Sequence, residues 1–302
     1  MTSATKAQND LYLCRDAAAL EEALRARGVD LDAEMERHGI TTEGAGALLT
    51  GSISEGLGSP SSDVDILVLA EKQPERGTGG LEFRVKHATE FLSYHDGVEI
   101  NIEVVDRPAM RHVLSSFVQM GPALYDPSKL TAVPLLPYRE RRILHRLRTG
   151  WPLRGHRVVE TWRDEFFTEL FPTYMTITRF IGHRELFEDV VAHVDAEDGT
   201  FSLAARDSAI EALWCFLAMR GVTGQTNKWA ARYAARLTGD DRAVVERIMP
   251  LVFPQWRPSK PERLAMVEQL QQFSDYLLDL LRADPELGRA TGYLLSRIHY
   301  TA

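Results

Sequence analysis

The sequence lacks the features that mark a secreted, membrane-spanning or disulfide-stabilised protein. Its 302 residues include two cysteines, Cys14 and Cys215, which are too few and too far apart to form a metal or disulfide framework. No apolar run approaches the roughly 18 residues that a transmembrane helix needs, and the N-terminus has no apolar core typical of a signal peptide. These absences predict a cytoplasmic location.

Positive charge is also scarce. The chain has 35 Lys and Arg against 43 Asp and Glu, a net charge of −8. Proteins built around long nucleic acids usually carry a basic stripe, because phosphate contacts supply much of their affinity. The acidic balance therefore favours a small-molecule partner. The arginine-rich segment 139–157 is a local exception, and it has two interpretations: a solvated helix face paired with acids, or a surface that meets an anionic substrate.

Several catalytic motifs are missing as well, among them a P-loop, a dinucleotide-binding fingerprint and a nucleophile elbow. The sequence does contain two aspartates, Asp63 and Asp65, directly before the apolar run 66–69. On a strand, residues i and i+2 point to the same side of the sheet. Two neighbouring carboxylates repel each other unless a cation lies between them, and Mg²⁺ prefers such oxygen ligands. The alternative is an ordinary Gly/Ser/Asp turn before a buried strand.

A Gly-Ser pair, Gly51-Ser52, precedes Asp63 by ten intervening residues. This combination resembles the nucleotidyltransferase superfamily, which includes DNA polymerase beta, aminoglycoside nucleotidyltransferases and bacterial minimal nucleotidyltransferases. The resemblance implies an α+β fold, in which a mixed sheet with flanking helices spans residues 1–133. It also implies that Asp63 and Asp65 bind two Mg²⁺ ions, while Gly51 and Ser52 hold the phosphates of a nucleoside triphosphate, with ATP the expected donor.

Residues 98–104 alternate strictly between apolar and polar side chains, which predicts a strand with one buried face. Glu99, Asn101 and Glu103 share the opposite face, and simple solvent exposure on an edge strand is one interpretation of it. The resemblance implies instead that a third metal-binding or base carboxylate lies on a strand beside the first two. Glu103 is the preferred candidate and Glu99 the alternative.

Prolines punctuate residues 122–137 and predict a domain boundary there, followed by an all-α domain over 137–302. The resemblance implies that this helical domain closes over substrate and nucleotide. Lys228 lies in the first turn of a predicted helix, where a cation opposes the helix dipole, so an anionic neighbour is expected. The resemblance implies that this neighbour is the triphosphate. A surface lysine beside a core Trp229 is the alternative.

The resemblance implies an enzyme that transfers a nucleoside monophosphate from an NTP to a hydroxyl and releases pyrophosphate, and the acidic balance favours a small molecule as the acceptor. Three alternatives stay open at this point. The acceptor is a macromolecule such as a tRNA end or a protein, as in nucleotidyltransferase toxins; the chain is a non-catalytic nucleotide-binding module; or the motif spacing is a coincidence in an unrelated α/β fold.

Overall fold

The chain packs as two units, each of which has its own interior. In the computed structural model, the described residues are 11–41, 43–74, 81–85, 88–95, 97–125, 135–224, 226–285 and 287. The first unit comprises Met1–Val118 and Leu136–Glu169, and the second comprises Gln119–Leu135 and Leu170–Ala302.

A six-stranded sheet forms the centre of the first unit, in the order β3-β4-β5-β2-β1-β6. Its strands are β1 Gly46–Thr50, β2 Val64–Ala70, β3 Leu81–Val85, β4 Ala88–His95, β5 Val98–Asp106 and β6 Trp151–Arg154. β2 and β5 run parallel, and the other described pairs are antiparallel. The sheet is therefore mixed, as the sequence predicts.

Helices pack around this sheet, and three of them begin at a side chain that accepts hydrogen bonds from N–H groups of the first turn. They are α1 Ala17–Arg25, α2 Leu31–Arg37, α3 Gly51–Ser54, α4 Arg107–Val113, α6 Tyr138–Thr149 and α7 His156–Glu165, and α5 Ser115–Tyr125 runs across the boundary of the two residue sets. The carboxylates of Asp16, Asp30 and Asp106 cap α1, α2 and α4. Flanking helices on a mixed sheet confirm the predicted α+β class.

The two parallel strands lie in the interior of the sheet. The first six residues of β2, Val64 to Leu69, are all buried. On β5, Val98, Ile100, Ile102 and Val104 are each at most 2% exposed, which confirms the predicted buried face. The edge-strand interpretation of β5 is wrong, because the strand has a neighbour on each side, β2 and β4.

The secondary-structure elements among the described residues of the second unit are all helices. Its helices are α8 Phe171–Ala192, α9 Thr200–Met219, α10 Asn227–Ala234, α11 Gly239–Val252 and α12 Lys260–Ala283. Trp214, Cys215 and Phe216 are buried in its interior, and burial raises the pKa of the Cys215 thiol. Cys215 is thus a structural thiol, as its apolar surroundings in the sequence indicate. None of the described helices is both long and apolar enough to cross a membrane.

The division into units differs from the boundary that the prolines predict. Helices α6 and α7 and strand β6 all lie beyond residue 137, yet they belong to the first unit. The physical reason is the segment after Gly150. Trp151 pairs with Leu49 of β1, and Pro152 pairs with Leu48, so the residues that connect α6 to α7 form the sixth strand of the sheet. Pro127 and Pro134 lie outside the described residues, as does nearly all of a helix predicted over 284–297.

Gly155 connects β6 to α7 and offers a test of this packing. Its φ is +59°, and a Cβ there would lie 2.1 Å from the backbone oxygen of Ala45. We expect Gly155→Ala to lower the free energy of unfolding by about 2–5 kcal/mol, because it adds a backbone clash to the cost of a left-handed conformation. Urea denaturation measures the change.

Gly28→Ala is the matched control. Gly28 also has a positive φ, +74°, but nothing lies within 4 Å of an added Cβ. In this variant the free energy of unfolding should fall only by the cost of the left-handed conformation, about 1–2 kcal/mol. Equal losses in the two variants would contradict the proposed close contact between the β6–α7 junction and Ala45.

Candidate active site

Asp63 and Asp65 lie where the chain enters β2. Asp65 is the second residue of the strand and pairs with Thr50, the last residue of β1. The Thr50 hydroxyl donates a hydrogen bond to the backbone oxygen of Asp65 at 3.3 Å. The Asp65 side chain is therefore fixed by an interior strand, while Asp63 is on the half-exposed approach to it.

Gly51 allows the Asp65 carboxylate to lie against the backbone of the β1–α3 turn. Its φ is +75°, and a Cβ at this position would be 2.2 Å from Asp65 Oδ2. Any side chain would therefore displace the carboxylate. The structure brings the Gly of the Gly-Ser pair and the second aspartate together, as the motif spacing predicts.

Ser52 lies beside the loop that leads to Asp63. Its hydroxyl donates to Ser62 Oγ at 3.1 Å, and Ser62 Oγ also accepts from the backbone N–H of Ser59 at 2.8 Å. These contacts tie the start of α3 to the residue before Asp63. The role of Ser52 in holding phosphates stays a prediction.

Glu103 is buried on β5, next to the aspartates. Its side chain is 1% exposed, and its oxygens accept from three arginines of α6: Arg139 at 3.1 Å, Arg142 at 3.0 Å and Arg146 at 2.7 Å. Burial alone would raise the pKa of Glu103, but the guanidinium groups of Arg142, Arg146 and Arg139 hold it below its usual range. Glu103 is therefore an ionised carboxylate whose charge is already balanced.

The three arginines form a row along one face of α6, at positions i, i+3 and i+7. Arg139 and Arg142 also reach Glu90 of β4, at 3.3 and 3.4 Å. Arg146 contacts both Glu103 and Asp65, the latter at 3.0 Å from its Nη2 to Oδ1. The row thus pairs with acids of the sheet. Its spacing is visible in the sequence, but the acids that it meets are not.

Asn101 and Glu99 occupy the rest of the polar face of β5. Asn101 is level with Asp65 across the parallel pair, and its Nδ2 lies 3.5 Å from Asp65 Oδ1. Glu99 is level with Tyr94 of β4, and its hydrogen bond with the Tyr94 hydroxyl raises the pKa of that tyrosine. The position directly beside Asp65 is therefore held by a neutral amide.

The electrostatics of Asp65 favour a bound cation. Burial raises its pKa to about 6; Arg146 opposes that rise, and the neighbouring Asp63 adds to it. A carboxylate that is costly to ionise is stabilised when a cation binds next to it. Asp63 and Asp65 therefore fit a divalent ion, although no group of three or more His, Cys, Asp or Glu side chains among the described residues is arranged to hold a metal.

Lys228 is the one predicted site residue in the second unit. It is exposed in the first turn of α10, where its ammonium lies 4.8 Å from the centroid of the Trp229 ring. Arg232 approaches the same ring at 4.8 Å. The lysine has an aromatic neighbour in the described structure, and its contact with a triphosphate stays a prediction.

Comparison with known proteins identifies the first unit. Residues 34–117, which include β1 to β5 and both aspartates, match the family model described as "Nucleotidyltransferase domain". The chain thus carries a nucleotidyltransferase domain, which is typical of transferases. This match confirms the resemblance to nucleotidyltransferases in its sequence.

The chain is also similar to a solved structure described as a nucleotidyltransferase-like protein from Exiguobacterium sibiricum 255-15. The identity is 13%, the TM-score is 0.45, and the match covers 92% of this chain and 79% of the other. No curated protein sequence matches this chain significantly.

The raised pKa of Asp65 predicts a pH-dependent cost to stability. The folded chain keeps the proton between pH 3.8, the ordinary pKa, and about 6, so stability falls as the pH rises through this window. Asp65→Asn cannot ionise and should be more stable than the wild type by about 1–3 kcal/mol at pH 8. Denaturation in EDTA, repeated at pH 8 and below pH 4, measures the difference.

The gain should disappear at the lower pH, where the wild-type carboxyl is also neutral. Asp279→Asn is the control, because its side chain is 78% exposed, and it should change stability little at either pH. An Asp65→Asn variant that is less stable than the wild type at pH 8 would show that Arg146 outweighs the cost of burial.

Proposed function

We propose that this protein is a Mg²⁺-dependent nucleotidyltransferase that moves a nucleoside monophosphate from an NTP, with ATP as the expected donor, to a hydroxyl of a small molecule. The observation that carries the proposal is the placement of Asp63 and Asp65 at the start of β2, with Gly51 against the Asp65 carboxylate. This arrangement lies within the segment that matches the nucleotidyltransferase family.

In this mechanism the chain holds the reactants in line. Asp63 and Asp65 would bind Mg²⁺, and Gly51 and Ser52 would contact the phosphates of the nucleotide. Bound Mg²⁺ supplies positive charge that stabilises the attacking and leaving oxygens. The acceptor oxygen forms a bond to the α-phosphorus, the bond to pyrophosphate breaks, and the hydroxyl proton passes to a carboxylate of the site or to water. Lys228 remains a proposed contact to the triphosphate.

The charge distribution supports a small acceptor. A macromolecular substrate would be expected to bind the arginines of segment 139–157. Three of them, Arg139, Arg142 and Arg146, already pair with acids of the sheet. Arg154 likewise pairs with Glu21 at 2.7 Å and with Asp32 at 2.9 Å. An overall charge of −8 adds to the argument, because RNA or DNA would be repelled at long range.

One observation favours a second candidate function, a non-catalytic module that binds nucleotide. Glu103, the preferred third carboxylate, is engaged by three arginines, and Asn101 stands beside Asp65. A site in which only Asp63 and Asp65 are left to hold a metal would bind a metal–nucleotide complex without turning it over. Calorimetry that shows NTP binding without pyrophosphate release from any acceptor would support this module.

Asp63→Asn and Asp65→Asn should each lower Mg²⁺-dependent pyrophosphate release by a factor of about 100–1000, because each removes a charge that the reacting phosphates require. The assay supplies each NTP in turn, with Mg²⁺ and a metabolite extract. Mass spectrometry then searches for nucleotide adducts on small molecules, on RNA and on the protein itself.

Asp279→Asn, exposed on α12, should retain wild-type activity. Near wild-type transfer by either site variant would refute the assigned residues. Adducts found on RNA or protein alone would replace the small-molecule acceptor by a macromolecular one, and binding should then weaken steeply with added salt.

A further inference from the structure

Arginines of α6 bring fixed positive charge to the polar face of the sheet. Three arginines of α6, Arg139, Arg142 and Arg146, cover three acids of the sheet, Glu90, Glu103 and Asp65. The exposed fractions of the arginine side chains are 26%, 31% and 11%. Arg146 is thus the most buried of the row, and it is the one that reaches Asp65.

Arginines engage both oxygens of Glu103. Its Oε1 accepts from Arg139, and its Oε2 accepts from both Arg142 and Arg146. With a side chain only 1% exposed, the carboxylate is enclosed by these guanidinium groups. A metal at Glu103 would have to compete with three buried guanidinium groups, and such charge-assisted hydrogen bonds are among the strongest in proteins. Glu103 therefore positions Arg146.

The two oxygens of Asp65 have different neighbours. Oδ1 accepts from Arg146 at 3.0 Å and lies 3.5 Å from Asn101 Nδ2. Oδ2 lies towards Gly51, at the place that a Cβ would otherwise fill. One oxygen is thus neutralised within the protein, and the other faces the turn that the mechanism assigns to the phosphates.

On the basis of the function proposed above, we propose that the guanidinium of Arg146 takes the place of one of the two metal ions. The chain then binds a single Mg²⁺ with its nucleotide, through Asp63 and Asp65, and Glu103 holds Arg146 in position. The charges are consistent with this stoichiometry: Arg146 already contacts both Asp65 and Glu103, so less negative charge is left on the aspartate pair itself for metal ions to neutralise.

Metal counting tests the proposal without requiring turnover. The wild-type chain is dialysed against Mn²⁺ with saturating α,β-methylene ATP, a donor analogue that cannot be cleaved at the reacting bond, and bound Mn²⁺ is measured by electron paramagnetic resonance. We expect one Mn²⁺ per chain. Two ions per chain would overturn the single-metal inference and leave the proposed function standing. Absence of both Mn²⁺ and nucleotide would overturn both.

Variants of Arg146 distinguish two roles for this residue: a cation that takes the place of a metal ion, or a residue that only stabilises the fold. Arg146→Gln should bind a second Mn²⁺, or bind the first about tenfold more tightly, because Asp65 loses an opposite charge within hydrogen-bonding distance. Arg146→Lys keeps the charge and should bind Mn²⁺ as the wild type does. Unchanged or weaker binding by Arg146→Gln would contradict the proposal.

Glu103→Gln keeps the shape of the buried side chain and tests the role of the third acid. It should still bind one Mn²⁺ per chain, with an affinity within about threefold of the wild type, whereas losing a residue that ligates or orients a metal costs at least about tenfold. Asp65→Asn should show that larger loss. Loss of an ion from Glu103→Gln would assign Glu103 to the metal after all. Thermal unfolding of each variant confirms that it is folded.

Discussion

The structure depends on the need to balance carboxylates that are buried on neighbouring strands. Asp65 and Glu103 lie on neighbouring interior strands, β2 and β5, where ionised groups are costly unless an opposite charge is close. Arg146 supplies that charge to both residues at once. The position of α6 over the sheet follows from this requirement, since the helix must present its arginines to the acids.

The same constraint explains why helices beyond the proline-rich segment belong to the first unit. α6 is bound to the sheet by ion pairs, and β6, which follows it, pairs with β1. α7 is attached in turn: the Arg163 guanidinium donates to the backbone oxygens of Leu147 and Gly150. A compact unit around the aspartates is therefore assembled from two stretches of sequence, and the nucleotidyltransferase segment 34–117 is its larger part.

Local patterns were sufficient to predict the strands that carry the aspartates and Glu103. The run 66–69 and the alternation over 98–104 both reflect burial, and the conjunction of Gly51 with Asp65 reflects a motif of fixed spacing. Local patterns of this kind could not predict which distant residues pair with each other. Arg146 meets an acid 81 positions away, and Arg139 meets one 36 positions away. Strand β6 is likewise formed only by pairing with β1, because Gly-Trp-Pro by itself predicts a break.

The central proposal is that Asp63 and Asp65 hold one metal ion and that the guanidinium of Arg146 lies beside it. A crystal structure of the chain with Mn²⁺ and a non-hydrolysable NTP tests this directly, because the anomalous signal locates each manganese ion. We expect one anomalous manganese peak within ligand distance of both aspartates, with Arg146 still in contact with Glu103. A peak ligated by Glu103, or a nucleotide bound away from the aspartates, would contradict it.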